Sequence, residues 1–140
     1  MIQIQSLKKS FAGKAVLKGI DLTFEAGKVY GIVGENGAGK TTLFRCIAGL
    51  ETCTGTINSE YAILKNHLAF LPTTPYFFDK ITGREYLQLF CNARQIKVDN
   101  LDERNIFQLP LDQYASTYST GMKKKLTLNA ILLQDNDLYI

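Results

Sequence analysis

Residues 34–42 read GENGAGKTT, a run of the form G-x-x-x-x-G-K-[ST], and no other feature of the chain constrains its fold as strongly. An apolar run at 29–33 precedes it and a helical pattern beginning at 42 follows, the strand–loop–helix setting in which such a loop cradles phosphate. The glycines Gly34, Gly37 and Gly39 are expected to let the backbone take positive φ values and approach an anion, since no β-carbon stands in the way. Lys40 then meets the β- and γ-phosphates of a nucleotide. The Thr41 hydroxyl is placed to bind Mg²⁺, and the helix beyond it turns its positive end toward the anion. The expected phosphate-binding set is Gly34, Glu35, Asn36, Gly37, Ala38, Gly39, Lys40, Thr41 and Thr42.

A chain of 140 residues, 46% apolar and 21% charged, has the composition of one ordinary globular domain. No apolar run approaches a membrane span and the amino terminus shows no long apolar signal segment, so a cytosolic setting is expected. Cys46, Cys53 and Cys91 are widely spaced without a C-x-x-C pair, which reads as reduced small hydrophobes rather than a zinc site or disulfide frame. The net charge of +3 is modest, and its densest piece, Lys123 to Lys125, lacks interleaved aromatics. A solvated helix face is the expectation there, with no direct nucleic-acid role.

Alternating apolar residues predict antiparallel strands before the loop, through Ile2 and Ile4 and then Val16, Leu17, Ile20, Leu22 and Phe24, with a turn at Gly13. The near-continuous apolar run 29–33 suits a strand in the middle of a parallel sheet. A helix over 42–50 would bury Leu43, Ile47 and Leu50. Short strands are expected at 54–57 and 68–71, and helices at 84–96, 101–108 and 120–134, with Pro72, Pro75 and Pro110 as breakers.

A second motif stands at the start of the last helix. Tyr118-Ser119-Thr120-Gly121-Met122, followed by KKKLTLNAILLQDNDLYI, resembles the signature sequence and following helix of ABC-family ATPases. Asn36 and Ala38 match that family's wording of the phosphate loop, and Phe11 falls where the family has an aromatic residue that stacks on adenine. No N-K-x-D base-reading motif of a GTPase is present.

The resemblance implies an α/β fold: a RecA-like P-loop NTPase core with an N-terminal antiparallel β subdomain and an α-helical subdomain, incomplete at the C-terminus. The chain would be one partial domain, with β subdomain and loop core over 1–81, helical subdomain over 82–134 and the start of an acidic strand over 135–140. It further implies ATP and Mg²⁺ as cofactors. Two such domains would pair head to tail on a membrane-spanning transporter subunit, each ATP held between one phosphate loop and the partner's Ser119 and Gly121. The bland reading of Ser119 is an N-capping serine, and that of Phe11 a hairpin core residue.

Three departures from the family pattern stand out. Thr73 occupies the place of a glutamine that reaches the metal and attacking water. The signature begins with Tyr118 rather than leucine and ends with Met122 rather than glutamine. The sequence reaches Ile140 before the aspartate that holds Mg²⁺, the glutamate base and the later histidine, so binding without hydrolysis is the expectation for these 140 residues. His67 lies in the wrong region to replace that histidine, and Asp135 and Asp137 read as solvated turn residues. The wording YSTGM together with TGREYL is closest to bacterial exporters. The alternatives are a non-catalytic nucleotide-binding or interaction module, or a soluble ABC protein acting on ribosomes or DNA.

Overall fold

A computed structural model describes residues 1–140, which divide into two compact units, Met1–Leu68 and Ala69–Ile140. In the first, strands β1 (Ile2–Phe11), β2 (Lys14–Phe24) and β3 (Thr54–Ser59) form an antiparallel sheet in the order β2-β1-β3. The hairpin between β1 and β2 turns on two residues, Ala12 at φ 46° and Gly13 at φ 80°. Both lie in the left-handed region, the geometry whose twist matches that of the flanking strands.

Strict alternation would place Ile2 and Ile4 on one face and Leu7 on the other. All three are nonetheless buried together with Leu17. A bulge resets the phase: Ser6 sits at φ 51° where the pairing register shifts, and its amide is satisfied by the Asp21 carboxylate at 2.7 Å. The partner strand accommodates the bulge through Gly55, at φ 99°, where a β-carbon would lie 2.6 Å from the Gln5 and Ser6 carbonyl oxygens.

Helix α1 (Lys40–Ile47) buries Leu43, Cys46 and Ile47. It ends earlier than the apolar spacing suggests. Gly49, at φ 71°, turns the chain, and the Leu50 amide returns to the Arg45 carbonyl at 2.8 Å, leaving Leu50 outside the helix and 54% exposed.

The expected strand at 29–33 does not form. No hydrogen bond ties its backbone to another strand, and Val29 and Val33 are fully exposed at 102% and 96%. An apolar run becomes a buried strand only where neighbouring strands pair with it, and none does so here.

Strand β4 (Leu68–Ala69) pairs with β5 (Leu138–Tyr139). The Ile140 amide donates to the Ala69 carbonyl at 2.9 Å and the Leu71 amide to the Ile140 carbonyl at 2.6 Å, the pattern of a parallel ladder. The other regular elements of the second unit are helices, joined by turns and irregular chain. Helix α2 (Gly83–Ala93) opens on a reciprocal cap in which the Glu85 amide donates to Thr82 Oγ1 while Glu85 Oε2 accepts from the Thr82 amide. It closes where Gln95, at φ 57°, enters the left-handed region and the Ile96 amide returns to the Cys91 carbonyl, short of the expected end at 96.

Helix α3 (Thr120–Leu132) packs on α2. Tyr86, Leu87, Leu109, Leu111, Ala115, Tyr118, Leu126 and Ala130 form one buried cluster between them. Full burial of each large apolar side chain contributes about 1.5–3 kcal/mol, so this cluster holds the unit together. The helix expected at 101–108 is instead a series of turns. Asn105 explains why: its amide donates to the Leu109 carbonyl at 2.7 Å and its side-chain oxygen accepts from the Leu109 amide at 3.0 Å, offering the backbone an alternative to helical bonds.

Candidate functional site

The glycine-rich run folds as a loop that wraps toward the start of α1. Gly37 and Gly39 carry positive φ values of 87° and 96°. Gly39 is doubly constrained, because a β-carbon there would meet Val16 Cγ1 at 3.0 Å and Leu17 Cδ2 at 3.1 Å on β2. The sheet and the loop thus fix each other. Gly34 does not take a left-handed conformation, contrary to expectation, and a β-carbon there would make an ordinary contact with the Ala38 β-carbon at 3.4 Å.

The loop presents donors. Gly39 caps α1 without a side-chain acceptor, and the amides of Gly37, Gly39, Lys40, Thr41 and Thr42 donate to nothing in the chain. The Lys40 ammonium reaches back to the Gly34 carbonyl at 2.6 Å and the Glu35 carbonyl at 2.8 Å. Two of its three donors are used and one is left for an anion. Unpaired amides, a cation held by two carbonyls of the same loop and the positive end of a helix fit a polyphosphate. The Thr41 hydroxyl, exposed at the second helical position, is the group that would hold Mg²⁺ beside that phosphate.

Phe11, also in the first unit, stands at the tip of the hairpin and is 44% exposed, outside the buried core. Lys9 Nζ lies 4.8 Å from its ring centroid. That cation–aromatic pair went unread, although residues two apart on a strand share a face. Glu51 anchors Lys9 at 3.2 Å and Arg45 at 3.2 Å, and Lys9 holds its carboxyl below the usual range. His67 stacks on Tyr61 with ring centroids 4.1 Å apart.

In the second unit, Ser119 is the N-cap of α3, its Oγ accepting from the Met122 amide at 3.2 Å. The capping role therefore holds in this chain, and the hydroxyl keeps a donor for a further partner. Gly121 has no internal steric reason to be glycine, since the nearest atom to a β-carbon there is Ser119 Oγ at 4.0 Å. Thr73 is exposed in the bend after Pro72. Tyr118, by contrast, is buried and donates to the Pro110 carbonyl at 2.6 Å. Arg84 forks between two carboxylates, Asp102 at 2.9 and 3.0 Å and Asp112 at 2.8 and 3.3 Å. Those pairs raise the guanidinium further and lower both carboxyls. No group of three or more His, Cys, Asp or Glu converges as a metal cluster, and no helix is long and apolar enough to cross a membrane.

The architecture has close relatives among solved structures. A Pyrococcus furiosus protein described as an ABC transporter (ATP-binding protein) superposes with a TM-score of 0.85 at 28% identity, covering 99% of this chain and 72% of that one. The ABC transporter ATP-binding protein YtrB of Bacillus subtilis (strain 168) is 34% identical over 140 residues, 91% of this chain and 47% of its own length. The autoinducer 2 import ATP-binding protein LsrA of Enterobacter sp. (strain 638) is 34% identical over 155 residues, all of this chain and 31% of its own length. The chain spans about half the length of YtrB and of two further Bacillus subtilis relatives that it matches. The profile of the ABC transporter family matches residues 17–140, and the chain belongs to that family.

Proposed function

We propose that this chain binds MgATP as the nucleotide-binding part of a membrane transporter's ATPase subunit, at the cytoplasmic face of the membrane. The observation that carries the reading is the Gly39–Lys40 corner, where β2 leaves no room for a β-carbon on residue 39, the amides at the start of α1 have no partner in the chain and the lysine ammonium is held by the Gly34 and Glu35 carbonyls. Lys40 and Thr41 are the catalytic-site groups of the proposal. The amides of Gly37 and residues 39–42 would orient the phosphates, Lys40 would neutralise charge between the β- and γ-phosphoryl groups, and Thr41 would supply the protein's oxygen to the metal. The Mg²⁺ ion, when bound, draws charge from the phosphate oxygens.

Phe11 offers its exposed ring to adenine. Ser119 and Gly121 present a hydroxyl and helix-terminal amides to the nucleotide of a second, head-to-tail domain, and Gly121's lack of any internal steric role supports a close external approach there. Thr73 stands in the position of the family's glutamine with too short a reach to touch the metal directly. The exposed aromatics Tyr76 and Phe78 and nearby Leu89 offer an apolar face for a membrane subunit. The wording YSTGM with TGREYL supports an exporter.

Titration with a fluorescent ATP analogue in the presence of Mg²⁺ tests the reading. Saturable binding that weakens 10-fold or more in Lys40→Ala, with the fold intact by circular dichroism, is expected on the scale of one charge-assisted contact. Equal affinity in the two proteins defeats it.

A further inference from the structure

The phosphate loop carries the chain's one asparagine-glycine pair, Asn36 and Gly37. The Ala38 amide donates to the Glu35 carbonyl at 3.2 Å and closes a four-residue turn over both. Gly37 takes the third position of that turn at φ 87°, where such a turn calls for glycine. Both residues are exposed, and a β-carbon on Gly37 would meet nothing within 4 Å. No hydrogen bond holds the peptide that joins them: the Asn36 carbonyl and the Gly37 amide have no partner in the chain, and neither has the Asn36 carboxamide. Other asparagines are restrained. Asn58 lies in β3 opposite Gln3, and Asn92 and Asn129 lie within α2 and α3, where the amide that follows is tied into the helix.

We propose that Asn36 is a self-modification site: without nucleotide the loop converts it to aspartate or isoaspartate, and a bound polyphosphate holds the conversion back. The Gly37 nitrogen gives its proton to water or buffer and attacks the side-chain carbonyl carbon of Asn36. A C–N bond forms, the bond from that carbon to the carboxamide nitrogen breaks, and the departing nitrogen takes a proton and leaves as ammonia. A five-membered succinimide remains. One water then opens the ring, at the side-chain carbonyl to give aspartate or at the backbone carbonyl to give isoaspartate, whose main chain runs through the β- and γ-carbons. One water is consumed and one ammonia released; nothing is oxidised or reduced. Glycine favours the attack because no β-carbon crowds its nitrogen.

Either product puts a carboxylate beside the unpaired amides of Gly37 and residues 39–42, and isoaspartate also lengthens the loop's backbone by an atom. Like charge and displaced amides both weaken the hold on an anion. Protection is the converse. An amide that donates to a phosphate oxygen keeps its proton and its place, so the Gly37 nitrogen is withdrawn as a nucleophile while phosphate is bound. This protection rests on the ATP reading above, whereas the conversion without nucleotide does not.

The experiment incubates the 140-residue chain for days at mildly alkaline pH, with and without MgATP, and follows intact mass, released ammonia and the tryptic peptide 29–40. The expected result without nucleotide is a gain of about 1 Da at residue 36, an equivalent of ammonia, and isoaspartate detected by methyltransferase labelling. MgATP at about ten times its dissociation constant slows the gain roughly tenfold. Asn36→Gln, whose ring would be six-membered, shows no gain over the same time. Asn36→Asp, which carries the product's charge, binds the fluorescent ATP analogue about 10-fold more weakly. Residue 36 unchanged in the folded chain while the isolated peptide 29–40 converts, or gains at Asn58, Asn92 or Asn129 that keep pace with Asn36, overturns the site. Conversion at an equal rate with MgATP shown by the titration to be bound overturns the protection. If the titration shows no binding, the ATP reading falls and the protection with it, while conversion at residue 36 still upholds the site.

Discussion

Gly83 makes room for Tyr118: a β-carbon on Gly83 would collide with the Tyr118 phenol oxygen and stand 3.3 Å from Leu111 Cα. The phenol, placed at the first position of the signature segment, uses that space to reach the Pro110 carbonyl. Two unusual residues thirty-five positions apart are one structural fact. Gly83→Ala is expected to destabilise the second unit by about 2 kcal/mol through overpacking, and Tyr118→Phe by about 1 kcal/mol through the lost hydrogen bond. The double variant should cost clearly less than the sum, because removing the oxygen vacates the space that the new methyl group needs. Denaturant titrations of the four proteins measure that coupling; strict additivity contradicts it.

Gly39 predicts a different behaviour from Gly121. At Gly39 the positive φ and the 3.0 Å approach of Val16 make any side chain costly, so Gly39→Ala should lower stability by about 1–3 kcal/mol and weaken nucleotide binding together. At Gly121 the helix has open space, and Gly121→Ala should raise stability by about 0.5–1 kcal/mol through helix propensity alone. Thermal melts of both variants decide the matter, and a destabilised Gly121→Ala would reveal an internal constraint.

Much of the fold is legible in local pattern, because α1, α2 and α3 each carry their own start signal: a glycine-lysine corner, a Thr82–Glu85 box and Ser119. The phosphate loop is legible for the same reason, since its chemistry is spelled by consecutive residues. What escapes depends on partners distant in sequence. The apolar run 29–33 states a preference for burial without supplying a neighbour, and Asn105 overrides a helical pattern through two bonds to Leu109. The exposure of Leu50 follows from a turn at Gly49 that spacing does not announce, and the fit of Gly83 to Tyr118 needs a third segment, 109–111, between them.

Acid should loosen the chain through four carboxyls. Glu51, Glu85, Asp102 and Asp112 are held below their ordinary range, respectively by Lys9, by the Thr82 backbone and hydroxyl, and by Arg84 for the last two. A carboxyl with a lower folded than unfolded pKa contributes stability above its unfolded value of about 4, and that stability is lost as pH falls through the folded one. Arg84→Gln removes the partner of two of the four, so its melting midpoint should fall less steeply than that of wild type between pH 5 and pH 3. Both carboxylates are exposed, which keeps the effect small and salt-sensitive. Parallel pH dependences in the two proteins would assign the acid sensitivity elsewhere.

The hairpin turn offers a stabilising change. Ala12 is held at φ 46°, a region that asparagine tolerates far better, and Gly13 follows it in the order that such two-residue turns favour. Ala12→Asn relieves the strain without touching the buried face of the sheet, so a gain of about 0.5–1 kcal/mol is expected with nucleotide affinity unchanged. A loss of stability on this substitution would show that the turn is set by its flanking pair, Phe11 and Lys14, rather than by its own two residues.

Residues 29–33 should make the chain associate. Val29 and Val33 are fully exposed, Tyr30 is 41% exposed, and the backbone between them has no strand to pair with. Unpaired extended backbone with apolar side chains is a template for another strand. Sedimentation velocity across a concentration series is expected to show reversible self-association, and Val33→Lys, which places a charge on the open segment, to shift the distribution toward monomer without lowering the melting midpoint by more than a degree or two. Val33 buries nothing in the present fold, so the substitution separates association from stability. A wild-type chain that sediments as one monomeric species at every concentration would mean that the open segment finds cover within its own molecule.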